Sequence, residues 1–359
     1  MIVKDEKDVI LRCLTSVKPF IDHWVIVDTG SQDGTQEIIK NCLKDIPGEL
    51  HERPWVDFAH NRNEAASLAR GKGDYLLFID ADDRLVHSKK LTLPLLKKDI
   101  YYIVQREADR SYVHSQNQRE FLIKNNSDFE WHGVLHETVR FKKENISEEL
   151  VLGIYIEYFN DGNRSKDPHR IEKDIALLKR GILQEPDNPH YYYFLGRTYW
   201  GIGDFASALP WFQMRKQLKG KPIESYQTLL YIAMILKHLG ADHQTVLGSF
   251  EKAYSNRPTR AEPLYELAGY LMSKEQYFAA FLVCKHAMTL PMPKENMCLE
   301  PWVYEWGLAL YFFLSSSQLQ FAKEEARTVL RDLLRNPKLP QKVINDFELK
   351  KAVKFYYGI

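Results

Sequence analysis

The sequence predicts two architectures in series. Residues 1–160 read as an α/β unit, a mixed and mainly parallel sheet with helices on both faces, and residues 161–359 read as an all-α stack of helix pairs. Three observations carry this. Short β-branched or aromatic runs alternate with helix-periodic stretches up to about residue 160. Turn formers then crowd the stretch "YFNDGNRSKDP" from Tyr158 to Pro168, which reads as a linker ahead of a lid over a ligand site. Beyond it no strand pattern remains, and small and large apolar residues recur at helical offsets.

The first strand has only Met1, Ile2 and Val3 to form from, so it is very short or the sequence begins inside it. "HWVIVD" (His23 to Asp28) is a β-branched strand. "SQDGTQEIIKNCLK" follows as a helix, with Ser31 or Asp33 as its N-cap. "DFAHNRNEAASLARG" (Asp57 to Gly71) has helical spacing at Phe58, Ala65, Leu68 and Ala69 and stops on glycine. "YLLFID" (Tyr75 to Asp80) is an apolar central strand, and "KKLTLPLLKK" a short helix with a proline irregularity. "IYYIVQRE" (Ile100 to Glu107), "REFLIKN" and "VLHETVRF" (Val134 to Phe141) are strands.

In the second half, Tyr192, Leu195, Gly196, Tyr199, Gly203, Ala208 and Phe212 fall at the offsets of a tetratricopeptide repeat. Small residues let two helices approach, and large ones fill the space between them. Phe250, Ala253 and Pro258 end a second unit; Leu264, Leu267, Ala268, Ala280 and Ala287 belong to a third; "EPWVYEWGLALYFF" opens a degenerate fourth. The alternative is an irregular helical bundle.

Bulk composition narrows the function classes. The 359 residues suffice for two cores, and 45% hydrophobic with 27% charged residues is a soluble, globular balance. A net charge of +1 excludes a general nucleic-acid binder. The opening "MIVKDEKDVI" is charged at once, unlike a signal peptide. The apolar run near Leu308 to Leu314 falls far short of the ~20 residues that span a bilayer. Cys13, Cys42, Cys284 and Cys298 lack metal spacing and read as reduced thiols of a cytoplasmic protein.

Ligands of open α/β sheets bind beyond the carboxyl ends of the strands. Asp28 ends one strand there, and "TGSQDGT" leads on to a helix N-terminus whose N–H groups either meet an anion or cap their own turn. It lacks the lysine of a P-loop and is not a dinucleotide fingerprint. Asp80 ends another strand, with Asp82 two residues on; such a pair suits a hard divalent cation. Asp83 caps the loop or holds Arg84. A lone Asp-x-Asp says little, and Asp28 alone reads equally as a turn residue. Their order on successive strands is what gives them weight. "WHGVLHET" adds His132, His136 and Glu137 as candidate bases, and Trp131 as a stacking or core residue.

Taken together, Asp-Thr-Gly-Ser-x-Asp-Gly-Thr, an Arg-Asn pair, Asp-Ala-Asp-Asp and Gly-x-x-His-Glu resemble the motifs of glycosyltransferase family 2 enzymes of GT-A fold. The resemblance is nearest to bacterial members with C-terminal tetratricopeptide repeats, related to the bacteriocin S-glycosyltransferases. It implies metal-dependent, inverting transfer of a sugar from a nucleotide sugar, a UDP-sugar by resemblance, to a protein, peptide or glycan acceptor. It implies that Val3 and Glu6 border the nucleotide, that Asp28 contacts the base, and that Arg62 lies near the base or phosphates. Asp80 faces the ribose or a metal-bound water, and Asp82 binds Mn²⁺ or Mg²⁺ as the DXD ligand. Glu137 is taken as the base and His136 as a metal or diphosphate contact, with the exchange of those roles as the alternative. Asp5 stands where the family commonly has asparagine. The helical repeats recognise the acceptor or form a homodimer. Two competing functions are a tetratricopeptide adaptor with an inactive first unit and a nucleotidyltransferase; the latter wants a glycine-rich basic loop that "KDEKDVILRC" does not supply.

Overall fold

The structure is a computed structural model describing residues 1–87, 95–108, 116–126, 128–294 and 298–345. These fall into two compact units, one ending at Pro186 and the other beginning at Asp187. The change of sequence pattern near residue 160 therefore precedes the break between units by two helices, Asn163–Lys166 and Arg170–Gln184.

The first unit opens on a parallel sheet of β1 (Ile2–Val3), β2 (Trp24–Asp28) and β3 (Gly48–Glu52), in that order, with Val3 opposite Asp28. Only Ile2 and Val3 form the first strand. α1 (Ile10–Val17) and α2 (Thr35–Leu43) cover one face of it, where Val3 and Ile26 pack against Ile10, Leu14, Ile39 and Leu43. Gly34, with φ of +97°, precedes α2, and Asp33 caps the turn by accepting the Thr35 N–H at 3.0 Å. Ser31 is engaged elsewhere: its Oγ accepts the Asp5 N–H at 2.8 Å. α3 (Phe58–Leu68) starts on Asp57, which accepts the His60 N–H at 2.9 Å, and packs along β1 and β2.

The second sheet runs β4 (Tyr75–Leu77), β7 (Gln116–Lys124), β6 (Ile100–Glu107), β10 (Glu148–Tyr158) and β5 (Asp83–His87). Only β6 and β10 pair in parallel within it; the other three ladders are antiparallel. The α/β class holds, with the first sheet wholly parallel and the second mainly antiparallel. β5 and the hairpin of β8 (Phe129–His132) with β9 (Thr138–Phe141) carry no separate signal in the sequence. The strand expected over Val134–Phe141 begins only at Thr138. Gly133, at φ +116°, and His136, at φ +54°, turn the chain before it. The helix expected in "KKLTLPLLKK" lies largely outside the described residues. α4 (Asn163–Lys166) and α5 (Arg170–Gln184) complete the unit.

The second unit is all helix among its described residues. α6 (Pro189–Gly201) pairs with α7 (Phe205–Gln217), α8 (Pro222–His238) with α9 (His243–Asn256), α10 (Glu262–Ser273) with α11 (Tyr277–Ala287), and α12 (Leu308–Ser316) with α13 (Lys323–Leu334); α14 (Gln341–Ile344) follows. The degenerate fourth pair opens with a π-helical turn at Val303–Gly307. The small residues sit where the repeat pattern needs them: Ala208, Ala253, Ala268, Ala280 and Ala287 are fully buried. Gly196 marks a close approach, since a Cβ there would lie 2.9 Å from the Phe212 ring. Gly196→Ala is expected to cost about 1–3 kcal/mol in urea unfolding. Gly201→Ala, which meets open space, is the matched control and is expected to stay within about 0.5 kcal/mol of the parent.

Candidate active site

One cavity of about 790 Å³ collects the polar ends of the first unit. Val3 and Thr29 line it from the first sheet, and Asp80, Asp82 and Asp83 from the connection between β4 and β5. Arg62 comes from α3, Leu135, His136 and Glu137 from the β8–β9 turn, and Gln105, Asn117 and Arg119 from the second sheet.

Arg62 organises the floor. It is 6% exposed, its Nη2 donates to Asp80 Oδ1 at 2.6 Å, and its Nε donates to Glu137 Oε1. Its neighbour Asn63 holds the same β8–β9 segment through the backbone of Trp131, accepting its N–H and donating to its carbonyl at 2.8 Å each. Consecutive residues of one helix thus join the Asp80 strand to the His-Glu turn, and the role of Asn63 had no signal beyond its place in the Arg-Asn pair. Burial costs the Arg62 charge, but Asp80 and Glu137 outweigh that and hold its pKa above the ordinary range. Burial would likewise raise Asp80; Arg62 and then Arg119 overcome it and hold the carboxyl below its usual range.

Glu137, 7% exposed, is held at the floor of the cavity by the hydrogen bond it accepts from Arg62 Nε. Asp80 is spent on the same cation. Asp80, Asp82 and His136 do not converge as metal ligands; among the described residues no group of three His, Cys, Asp or Glu side chains does.

Asp82 faces a different partner. A Cβ placed on Gly162 would lie 3.1 Å from both Asp82 Oδ2 and Glu6 Oε2, so a residue without a side chain separates two carboxylates. Burial and then Asp80 raise the pKa of Asp82. Burial, with a further push from Asp82, lifts Glu6 to about 7 against the hydrogen bond it accepts from Asn163 N–H at 3.1 Å. Asp82 and Glu6 thus offer hard oxygen donors beside one glycine, a chemical fit for Mg²⁺ or Mn²⁺.

Asp28 is fully buried and is not among the residues lining the cavity; Thr29 beside it is. Its Oδ1 accepts the N–H groups of Gly30 and Ser31 at 2.8 and 2.7 Å, while its Oδ2 has no hydrogen-bond partner. The remaining N–H groups of the "TGSQDGT" loop cap themselves or clasp the first loop, with Gln32 donating to Asp5 at 2.7 Å. His132 pairs with Glu185 at 3.0 Å, and Trp131 is a core residue edge-on to Phe78 with the Arg62 guanidinium 5.2 Å from its ring.

The stretch read as a linker is a wall of this cavity. Asn160, Asn163, Arg164 and Lys166 of that stretch line it, and Arg170 and Lys173 of α5 continue the wall. Arg12 fastens it: the guanidinium grips Asp161 at 2.7 and 2.8 Å, donates to the Asp82 carbonyl at 2.7 Å, and lies 3.7 Å from the Phe159 ring. No helix among the described residues is long and apolar enough to cross a membrane.

Residues 1–97 match the family model described as Glycosyl transferase family 2. Residues 1–97 are thus similar to a glycosyltransferase family 2 domain, and tetratricopeptide-type helix pairs follow later in the chain. The chain is 26% identical over 253 residues to a TPR repeat-containing protein of Synechococcus elongatus, covering 67% of this chain and 61% of that one. It is 26% identical over 207 residues to the SPbeta prophage-derived glycosyltransferase SunS of Bacillus subtilis, covering 55% of this chain and 47% of that one. The chain thus spans less than two thirds of the length of either relative. The crystal structure of MamA resembles it with a TM-score of 0.39 and 15% identity, over 50% of this chain and 95% of that one.

Proposed function

We propose that the first unit is an inverting, metal-dependent glycosyltransferase that uses a UDP-sugar, and that the helix pairs recognise a protein or peptide acceptor. The observation that carries this is the Asp80–Arg62–Glu137 bridge, which joins three distant motifs at the floor of one cavity. The match of residues 1–97 to family 2 supports the same reading. The adaptor reading keeps some support from the repeat-containing relative, but an adaptor has no use for a buried cation tied to two carboxylates.

Val3 and Thr29 border the nucleoside, and the unpaired Oδ2 of Asp28 is an acceptor for the imide N–H of uracil if the turn above it opens. Asp82 and Glu6 would hold Mn²⁺ or Mg²⁺, which when bound neutralises charge on the departing diphosphate. Arg170 and Lys173, on the wall after β10, face the same charge. His136 takes the proton from the acceptor's hydroxyl or thiol as the bond to the anomeric carbon forms and the bond to phosphate breaks. Its left-handed backbone turns it into the cavity while Glu137 stays on Arg62. Acceptor binding by stacked helix pairs follows from the extended surfaces that such repeats present.

The test is UDP release from a panel of UDP-sugars, with transfer to candidate proteins followed by mass spectrometry. His136→Ala is expected to lower transfer by about 100-fold or more while leaving UDP affinity intact. Wild-type transfer rates in His136→Ala would remove His136 as the base, and absence of turnover and of nucleotide binding in the parent would refute the enzyme reading.

A further inference from the structure

One face of the second sheet changes character along its strands. Directly opposed residues share a face, so the registers place Leu85, Ile156, Gln105 and Asn117 in one row, with Asp83 and Tyr158 in the next row of that face and Ile103 and Arg119 in the row on its other side. Leu85, Ile103, Phe121 and Ile156 belong to the apolar core that includes Cys13 and Val17. Asp83, Gln105, Asn117, Arg119 and Tyr158 all line the cavity. A sheet face that is apolar throughout would seal the core more cheaply. Here Gln105 is buried with its amide oxygen 3.5 Å from Arg119 Nη1, and Asp83, 2% exposed, has an Oδ2 with no hydrogen-bond partner.

The position along the cavity assigns a ligand part. The nucleoside end is at Val3 and Thr29 on the first sheet, and Asp80 to Asp82 form the connection that follows. The polar face lies beyond that connection, beginning at Asp83. We propose that it is the subsite for the donor's sugar ring, with Gln105, Asn117 and Arg119 binding the hydroxyls of an unsubstituted hexose above Asp83. This rests on the nucleotide-sugar reading and adds the sugar class to it.

The chemistry favours free hydroxyls. Amides offer a donor and an acceptor each, guanidinium offers donors and carboxylate acceptors, and a hydroxyl serves all three. An acetamido methyl placed on these groups would leave buried polar atoms unpaired.

Calorimetric titration of the full chain in Mn²⁺ with UDP, UDP-glucose, UDP-galactose and UDP-N-acetylglucosamine tests this. A UDP-hexose is expected to bind more tightly than UDP-N-acetylglucosamine. Asn117→Ala and Gln105→Ala are each expected to weaken UDP-hexose about tenfold and leave UDP alone unchanged. The subsite is overturned if both variants bind the UDP-hexose as the parent does, if UDP weakens in the same proportion, or if the parent prefers the N-acetyl sugar. A parent chain that binds none of the four ligands overturns the nucleotide-sugar reading itself and this assignment with it.

Discussion

Arg62→Ala is expected to abolish donor turnover and to destabilise the first unit by about 3–5 kcal/mol, because it leaves Asp80 and Glu137 without the cation they share in a water-poor floor. The activity loss is expected to exceed about 100-fold, since Asp80 and the turn bearing His136 both lose their anchor. Arg62→Lys is not expected to restore either quantity. One ammonium cannot present Nε and Nη2 to two carboxylates on different segments. The pH response gives an independent check. Asp80 is held low by Arg62 and Arg119 in the folded chain, so it contributes stability above its unfolded pKa that fades as pH falls through the folded one. Without Arg62 burial is opposed chiefly by Arg119, so the variant should gain less stability than the parent as pH rises from acid towards neutral. Urea unfolding at several pH values measures this, and parent-like stability in Arg62→Ala would contradict it.

Asp82→Ala is expected to have the opposite stability sign with an equally large catalytic effect. The pKa of Asp82 is raised by burial and by Asp80. A carboxyl raised in the folded state costs stability once pH climbs through its folded pKa. In the absence of divalent cation at pH 8, Asp82→Ala should therefore unfold no earlier than the parent. Its metal-stimulated turnover should nonetheless fall by about 100-fold or more. Glu6, with a pKa of about 7, must shed its proton to join Asp82 at a cation. The parent's Mn²⁺ affinity should accordingly weaken as pH drops below about 7. A pH-independent Mn²⁺ affinity would remove Glu6 from the cation seat.

The α/β class and the repeat pattern were legible because apolar periodicity reports burial directly. Gly196 against Phe212 is one instance: the Leu-Gly step marks a close approach before any contact is seen. The place of Asp82 on the cavity was legible from its order after an apolar strand among the other motifs. The partners of Arg62 were not. Its spacing says only that it lies on a helix, and whether it faces water or two carboxylates depends on strands 18 and 75 residues further along the chain. The wall after β10 was misjudged for a related reason. Asn, Gly, Lys and Asp signal a turn whether or not the turn covers a cavity, and the tether from Arg12 to Asp161 spans 149 residues. The turn at Gly133 and His136 hid inside an apparently continuous strand, because a positive φ at histidine leaves no mark on hydrophobic alternation.

Release of UDP from UDP-sugars, followed with and without Mn²⁺ in the parent and in Asp82→Ala, tests the central claim most directly. The account predicts Mn²⁺-dependent release by the parent and its loss in a folded Asp82→Ala chain. Release that proceeds equally in both chains, or no release by a parent that also fails to bind UDP, would contradict it.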